Sequence, residues 1–132
     1  MLKTEGVLHF TIPVKDLDRS EKFYTEVLGF EKVGRTARIV FLRAGDDFFN
    51  LTYSDNPVQP NVGNKHEIHS AFRLTSQAYD EVLKALPANG IEIFKQEERD
   101  AGVFVGRSAY IHDPDSNVIE FIDLKRAPGK PA

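Results

Sequence analysis

Hydrophobic and polar positions follow the same order twice along the chain, as a strand, a helix and three further strands. In the first copy, residues 6–14 alternate apolar and polar side chains and are rich in Val, Ile, Phe and Thr, which is typical of a half-buried strand. The rest of this copy is predicted as a helix from near Asp18 to Gly29 and strands at about 30–34, 37–44 and 47–54. We interpret residues 5–55 as one βαβββ module.

The second copy spans about residues 67–125 and repeats the order. Its predicted elements are a strand at about 67–74, a helix at about 76–88 and strands near 91–98, 104–113 and 117–124. Residues 56–66 are rich in Pro, Asn and Gly and are predicted to link the two modules. A chain of 132 residues has the size of one compact domain, so we predict a single domain over 1–132 that contains both modules.

Turn and cap residues support these boundaries. Asp18 is predicted to cap the first helix, and Glu21 completes a pair that resembles a capping box. Gly29 is placed to end that helix in a left-handed conformation, and Asn89-Gly90 ends the second helix.

Period-two alternation assigns each strand residue to one face of the sheet. Four polar residues at repeat-related positions are predicted to share the face away from the helices: His9, Asn50, His69 and Glu120. A curved sheet would gather that face into one cleft. Two histidines and one carboxylate are a ligand set that holds a divalent metal ion and leaves coordination positions open for a substrate. Each residue alone is also compatible with an ordinary, satisfied polar group, so it is the joint placement that favours a metal site.

Composition narrows the classes of function. The net charge of −3 is spread along the chain, and the absence of a basic stripe argues against nucleic acid as a partner. No apolar run approaches the length that spans a bilayer, and Met1–Lys3 shows no signal-peptide pattern. The chain contains no cysteine, which excludes disulfides, thiolate ligands and a cysteine nucleophile. We therefore expect a cytoplasmic protein with neither a nucleic acid nor a membrane as its partner.

Two segments resemble the vicinal oxygen chelate superfamily, which includes glyoxalase I, extradiol dioxygenases, fosfomycin-modifying enzymes and bleomycin-resistance proteins. The first is LHFTIPVKDLDRSEKFYTEVLGF, and the second is YIHDPDSNVIEF. In the second segment Ser116 replaces the usual turn glycine, and we expect Asn117 to take the left-handed conformation instead. The resemblance implies an α+β fold in which two βαβββ modules form a cupped, eight-stranded mixed sheet with the helices outside.

By the same resemblance, His9, His69 and Glu120 fall where metal-dependent members place their ligands. Asn50 falls where glyoxalase I places a further carboxylate, and this departure favours a three-residue site over ordinary glyoxalase I chemistry. The ion is predicted to be divalent, with Fe, Mn, Ni, Zn and Co all compatible with the ligands. Tyr110 matches an active-site tyrosine of extradiol dioxygenases and is the catalytic candidate.

Three residues are candidates for binding substrate. Asn50 lies on the predicted ligand face, and Arg73 and Arg107 carry guanidinium groups that can clamp a carboxylate or phosphate. A surface role is the simpler interpretation of either arginine.

The function we predict is that of a small metal-dependent enzyme whose substrate chelates the ion through vicinal oxygens, of the extradiol-dioxygenase type or a related lyase or transferase. The alternatives are a metal-free small-molecule-binding protein of the bleomycin-resistance type and a domain whose cleft is vestigial or filled by a partner. Small members of the superfamily are often dimers, so a homodimer is expected, with the site formed in one chain or across two.

Overall fold

The chain divides into two compact units, Met1–Gln59 and Pro60–Ala132. The computed structural model describes residues 1–56 and 66–129. The predicted linker at 56–66 lies almost entirely outside the described residues.

In both units the strands and the helix follow one another along the chain in the predicted order. The first contains β1 (His9–Val14), α1 (Leu17–Lys22) with a π-helical continuation (Phe23–Val27), β2 (Glu31–Arg35), β3 (Ile39–Ala44) and β4 (Asp47–Tyr53). The second contains β5 (His69–Leu74), α2 (Ser76–Ala88), β6 (Lys95–Arg99), β7 (Gly106–His112) and β8 (Val118–Leu124). The predicted α+β class with two βαβββ modules is confirmed, and the described strands are hydrogen-bonded as two sheets of four.

The two sheets have equivalent mixed topologies. In the first, the order is β1-β4-β3-β2, and in the second it is β5-β8-β7-β6. The first strand of each unit runs parallel to the last, and the other neighbours are antiparallel. The last strand of each unit is therefore central, so its side chains have neighbours from strands on both sides.

In the first unit, α1 packs against β3 and β4 through an aromatic core. Phe49 is fully buried, stacks on Phe10 with ring centroids 5.4 Å apart and meets Tyr24 edge-on at 5.9 Å. The helix widens before it ends, because the Leu28 N–H donates to the carbonyl of Phe23, five residues earlier. Gly29 then has a φ of 83°, which is the left-handed conformation predicted for it.

In the second unit, α2 packs on β5 and β8. The side chain of Thr75 accepts a hydrogen bond from the Ala78 N–H at 3.1 Å and so caps the helix start. Gly90, with a φ of 75°, ends the helix as predicted. The residues that fill the helix side of this sheet include Phe72, Tyr79, Leu86, Ile119 and Phe121.

Two local predictions are wrong. The cap of α1 is Asp16, whose side chain accepts from the Arg19 N–H at 3.0 Å, because the helix already begins at the buried Leu17. Asp18 instead pairs with Arg35 at 2.6 Å. In the turn before β8, Ser116 itself takes the left-handed conformation that was expected of Asn117, with a φ of 67°. There Asp113 accepts from the backbone N–H groups of Asp115 and Asn117, which ties the turn to this shape.

Candidate metal centre

His69 and Glu120 meet on the face of the second sheet that lies away from α2. Glu120 is the register partner of Ala71, and His69 lies two residues before Ala71 on the same face. The imidazole Nε2 of His69 is 2.9 Å from Oε1 of Glu120. Only 6% of the Glu120 side chain is exposed, against 28% of the His69 side chain. The two atoms that would bind a metal therefore face each other at the edge of a buried region.

The other ring nitrogen of His69 has its own partner, which determines what Nε2 can do. Nδ1 lies 2.7 Å from the carbonyl oxygen of His66. Because a carbonyl oxygen only accepts, Nδ1 must carry the hydrogen of this bond. In the neutral ring, Nε2 then presents a lone pair to a carboxylate oxygen, and two acceptors at this distance need a proton or a cation between them. Metal-binding histidines usually have this arrangement, in which the ring nitrogen that does not bind the ion donates to a carbonyl or carboxylate oxygen.

The second carboxylate oxygen of Glu120 is held from within the sheet. Oε2 accepts from the hydroxyl of Ser108 at 2.7 Å and from Nη2 of Arg99 at 3.1 Å. Nη2 also donates to the Ser108 hydroxyl oxygen at 2.8 Å. Oε2 is thereby occupied, and Oε1 is the oxygen that faces His69.

Arg99 uses its whole guanidinium in this cluster. Nη1 donates to Oε1 of Glu97 at 2.9 Å, and Nε donates to the carbonyl of Phe104 at 3.2 Å. Burial lowers the pKa of Arg99, but its side-chain hydrogen bonds with Tyr110 and Glu120 outweigh that effect and leave the pKa raised. Arg99 is therefore a permanent positive charge beside a buried carboxylate.

Tyr110, the predicted catalytic residue, is buried beside this cluster. Its hydroxyl donates to Oε1 of Glu97 at 2.6 Å. Its ring meets the rings of His66 and His69 edge-on, with centroids 5.8 Å and 5.7 Å apart. Burial and the bond to Glu97 raise the pKa of Tyr110, and that same bond holds the pKa of Glu97 below its ordinary value. Tyr110 thus acts as a hydrogen-bond donor and as a wall for the His69 ring.

The structure places His9 and Asn50 in the first unit. His9 is exposed at the start of β1, and Asn50 is buried in β4 with 8% of its surface accessible. Asn50 is the register partner of Thr11, which lies two residues after His9. Both residues therefore share the face away from α1, as the alternation predicted.

The two candidate arginines have different positions. Arg73 is exposed in β5, on the face that carries His69. Arg107 lies on the opposite face, where Nε donates to Asp123 at 2.9 Å and Nη2 pairs with Asp80 of α2 at 2.9 Å. Its guanidinium also lies over the Tyr79 ring, 4.5 Å from the centroid. The structure does not bring Arg107 to the His69–Glu120 pair, and its role in substrate binding has no support here.

Sequence reasoning missed the polar residues that surround the pair. These are His66, Lys95, Glu97, Arg99 and Ser108. A signal was present in β6, where Lys95, Glu97 and Arg99 alternate with a period of two and so share one face. The predicted strand at 91–98 omitted Arg99, and the pairing of Glu97 with Ser108 needs the register of the sheet.

The donor set of the second unit fits a divalent ion in part. Imidazole and carboxylate are suitable ligands for Mn, Fe, Ni, Zn and Co, and both are oriented by further hydrogen bonds. In the described residues 66–129, no third histidine or acidic residue joins His69 and Glu120 at ligand distance. The second unit thus offers two of the three ligands that the sequence predicted.

Comparison with known proteins identifies the family. The model of the Glyoxalase/Bleomycin resistance protein/Dioxygenase superfamily matches residues 6–121. The chain belongs to this superfamily. The resemblance noted in the sequence is therefore confirmed, and the family model covers both modules.

Relatives within the superfamily differ in the reactions their names describe. The fosfomycin resistance protein FosX of Listeria monocytogenes is 28% identical over 121 residues, covering 87% of this chain and 86% of FosX. The lactoylglutathione lyase of Salmonella typhimurium is 32% identical over 135 residues, covering 92% of this chain and 94% of the lyase. The glutathione transferase FosA of Serratia marcescens is 28% identical and covers 88% of this chain and 79% of FosA.

Solved structures of FosX from Listeria monocytogenes have the same fold. The hexagonal crystal form gives a TM-score of 0.75 at 25% identity, covering 92% of this chain and 94% of FosX. The complex of FosX with Mn(II) and sulfate gives a TM-score of 0.76 at 24% identity, covering 93% of each chain.

Neither helix in the described part of this superfamily member has the length and apolar character needed to cross a bilayer.

Proposed function

We propose that this protein is a divalent-metal-dependent enzyme whose small substrate binds the ion through two neighbouring oxygen atoms. The ligands would be His9, His69 and Glu120. The observation that carries the proposal is the contact of His69 Nε2 with Glu120 Oε1 at 2.9 Å, with Nδ1 already bound to a carbonyl. Such a pair of acceptors is prepared for a cation.

A bound ion of this kind acts as a Lewis acid and orients substrate oxygens. The protein residues around it have separate tasks. Glu120 and the histidines would hold the ion, and the partners of Glu120 keep its carboxylate in place. Tyr110 would keep the His69 ring in position and donate, through its hydroxyl, to a carboxylate rather than accept a proton. The raised pKa of Tyr110 opposes ionisation, so its hydroxyl is suited to donating a hydrogen bond and not to acting as a general base.

Two kinds of evidence bear on the substrate and the reaction: the polar residues on the sheet faces away from the helices, and the names of the relatives. Asn50 is a neutral hydrogen-bonding group that would contact a substrate oxygen without adding charge, and Arg73 is an exposed cation on the face of His69. The relatives are named as transferases, a lyase and resistance proteins, which supports the lyase or transferase branch of the prediction over the dioxygenase branch. The Mn(II) complex of FosX supports Mn among the candidate ions.

A metal-free binding protein is the second candidate, and the same contact favours it in one protonation state. If His69 is an imidazolium, both ring nitrogens donate, and Nε2 forms an ion pair with Glu120 that needs no metal. The two proposals therefore differ in whether a proton or a cation lies between these atoms.

Metal content separates the two candidates. We expect protein purified without chelator, then dialysed against Mn(II), to hold about one ion per chain by elemental analysis. The His9→Ala, His69→Ala double variant should hold essentially none, while His112→Ala serves as a matched control, because His112 is exposed and its ring stacks on Phe94 at 4.3 Å. Near-zero metal in the unaltered protein, unchanged in the double variant, would leave the binding-protein candidate.

The reaction is tested on the loaded protein with fosfomycin plus thiols and with a panel of catechols under Fe(II). Turnover of the first set would support the transferase branch, and oxygen uptake with a catechol would support the dioxygenase branch instead.

We also propose a cytoplasmic homodimer. Light scattering that returns the 14.9 kDa mass of one chain would contradict the dimer.

A further inference from the structure

We propose that Arg99 is a positioning residue that makes Glu120 a ligand through one oxygen only. The inference rests on the proposed function, since it concerns how the carboxylate would hold the ion. It assigns a task to a residue that the sequence did not indicate and that does not itself bind a metal.

The two carboxylate oxygens of Glu120 have different partners. Oε2 accepts two hydrogen bonds, at 2.7 Å from the Ser108 hydroxyl and at 3.1 Å from Nη2 of Arg99. Charge-assisted bonds of this kind are among the stronger ones in proteins. An ion that approached both carboxylate oxygens would have to displace these donors. Oε1, which faces His69 at 2.9 Å, is therefore the oxygen that stays available.

Hydrogen bonds to Glu97 and Phe104 hold the guanidinium of Arg99 in place. Its Nη1 donates to Glu97 at 2.9 Å, and the same Glu97 oxygen accepts from the buried Tyr110 hydroxyl at 2.6 Å. Its Nε donates to the backbone carbonyl of Phe104 at 3.2 Å. The planar guanidinium is thus oriented by partners on its other two nitrogen atoms before any ion arrives, so these contacts determine the position of Nη2.

Position 99 requires the shape of an arginine as well as its charge. A lysine ammonium keeps the positive charge, but it is a single nitrogen and cannot reproduce three donors in one plane. Arg99→Lys therefore removes the geometry while it preserves the charge beside Glu120. Freed from this constraint, the carboxylate would rotate, and the partners that orient metal ligands typically contribute about 10–100-fold to metal affinity.

The test compares the Mn(II) affinity of the full-length unaltered protein with that of Arg99→Lys, by calorimetry and by the electron paramagnetic resonance signal of free Mn(II). We expect the Kd to rise by about 10–100-fold. Arg35→Lys is the matched control, because Arg35 also binds two acidic residues, Asp18 and Glu21, and its side chain is 31% exposed against 30% for Arg99. It should leave the Kd unchanged.

Two further measurements distinguish positioning from a loss of folding. Ser108→Ala removes the other donor to Oε2 and should raise the Kd in the same direction. The thermal midpoint of each metal-free variant is measured beside the gain that Mn(II) produces. A variant in which positioning is lost has a smaller gain than the unaltered protein, whatever its metal-free midpoint.

The outcomes separate this inference from the proposed function. If the unaltered protein binds Mn(II) tightly and both Arg99→Lys and Ser108→Ala bind it equally tightly, the positioning role is overturned and the metal site stands. If the unaltered protein binds no ion, the proposed function fails, and the inference fails with it. A raised Kd in both variants with Arg35→Lys unchanged supports the inference.

Discussion

Tyr110 and Glu97 form a single hydrogen bond on which much of the second unit's polar cluster depends. The Tyr110 hydroxyl donates to the Glu97 oxygen that also accepts from Arg99. Glu97 therefore connects a buried aromatic residue with the arginine that contacts Glu120. This bond is the largest of the effects that keep the pKa of Glu97 below its ordinary value.

Removal of that hydroxyl should change both the pKa and the stability. In Tyr110→Phe we expect the pKa of Glu97 to move up toward its ordinary value. The ¹³C chemical shift of the Glu97 carboxyl group, measured against pH, reports this change. The free energy of unfolding at neutral pH should fall by about 1 kcal/mol, the usual net worth of one hydrogen bond. Tyr53→Phe is the control, because Tyr53 also donates to a carboxylate, that of Asp55, at an exposed position.

The pH dependence of this difference has a definite sign. A carboxyl group with a lowered pKa in the folded state stabilises the protein above the pKa of the unfolded state, and this contribution is lost as the pH falls through the folded-state pKa. The difference between the unaltered protein and Tyr110→Phe should therefore be largest at neutral pH and shrink in acid. A difference that grew in acid, or a Glu97 pKa that did not move, would contradict the role given to this bond.

Among the elements, the pairing of β7 with β8 shapes the proposed site. It sets Tyr110 opposite Glu120 and Ser108 opposite Ile122. This pairing starts at Gly106, the register partner of Leu124. A Cβ on Gly106 would lie 2.0 Å from the carbonyl oxygen of Asp123, and the φ of 155° is one that other residues rarely adopt.

Gly106→Ala should therefore separate the start of β7 from β8. We expect it to lower the free energy of unfolding by about 3 kcal/mol, because the overlap is with backbone atoms that cannot turn aside. Chemical denaturation measures the loss. Gly102→Ala is the control, since Gly102 also has a positive φ, of 94°, but open space around its Cβ position. It should cost about 1 kcal/mol from backbone strain alone. Equal losses in the two variants would show that the close approach at Gly106 is unimportant.

At the scale of the whole molecule, the proposed ligands are divided between the two units. His9 lies in the first unit, and His69 and Glu120 lie in the second. If one ion uses all three, its contribution to stability should depend on both units at once. A ligand that binds only the folded state adds about 2.7 kcal/mol at 100 times its Kd.

At 100 times its Kd, Mn(II) should therefore raise the free energy of unfolding of the unaltered protein by about 2.7 kcal/mol. If both histidines hold the same ion, His9→Ala and His69→Ala should each remove most of this gain, and the double variant should lose little more than either. Denaturant titrations with and without Mn(II) measure the gain. His112→Ala should keep it. Additive losses from the two single variants would mean that the histidines bind separate ions.

The order of elements along the chain and the C-terminal ends of the helices were accessible from the sequence because they depend on local chemistry. The period of two placed His9 and Asn50 on one face of the first sheet, and Asn89-Gly90 marked the end of α2, whose bounds match the prediction. The errors were also local. Two acidic residues, Asp16 and Asp18, lie close enough together that only the burial of Leu17 decides which of them caps α1.

The two βαβββ modules, the superfamily and the shared face of His69 with Glu120 could thus be predicted from the amino-acid sequence, since periodicity and short motifs are properties of neighbouring residues. The residues that surround this pair come from distant parts of the chain and became visible only in the folded protein. Arg99 reaches Glu120 across 21 positions of sequence, and Glu97 meets Tyr110 across 13, both through the register of β6 on β7 and β8. Tertiary structure also took Arg107 to the helix side, where Asp80 and Asp123 bind it. Such partners are chosen by sheet register and by burial, which no single stretch of the chain contains.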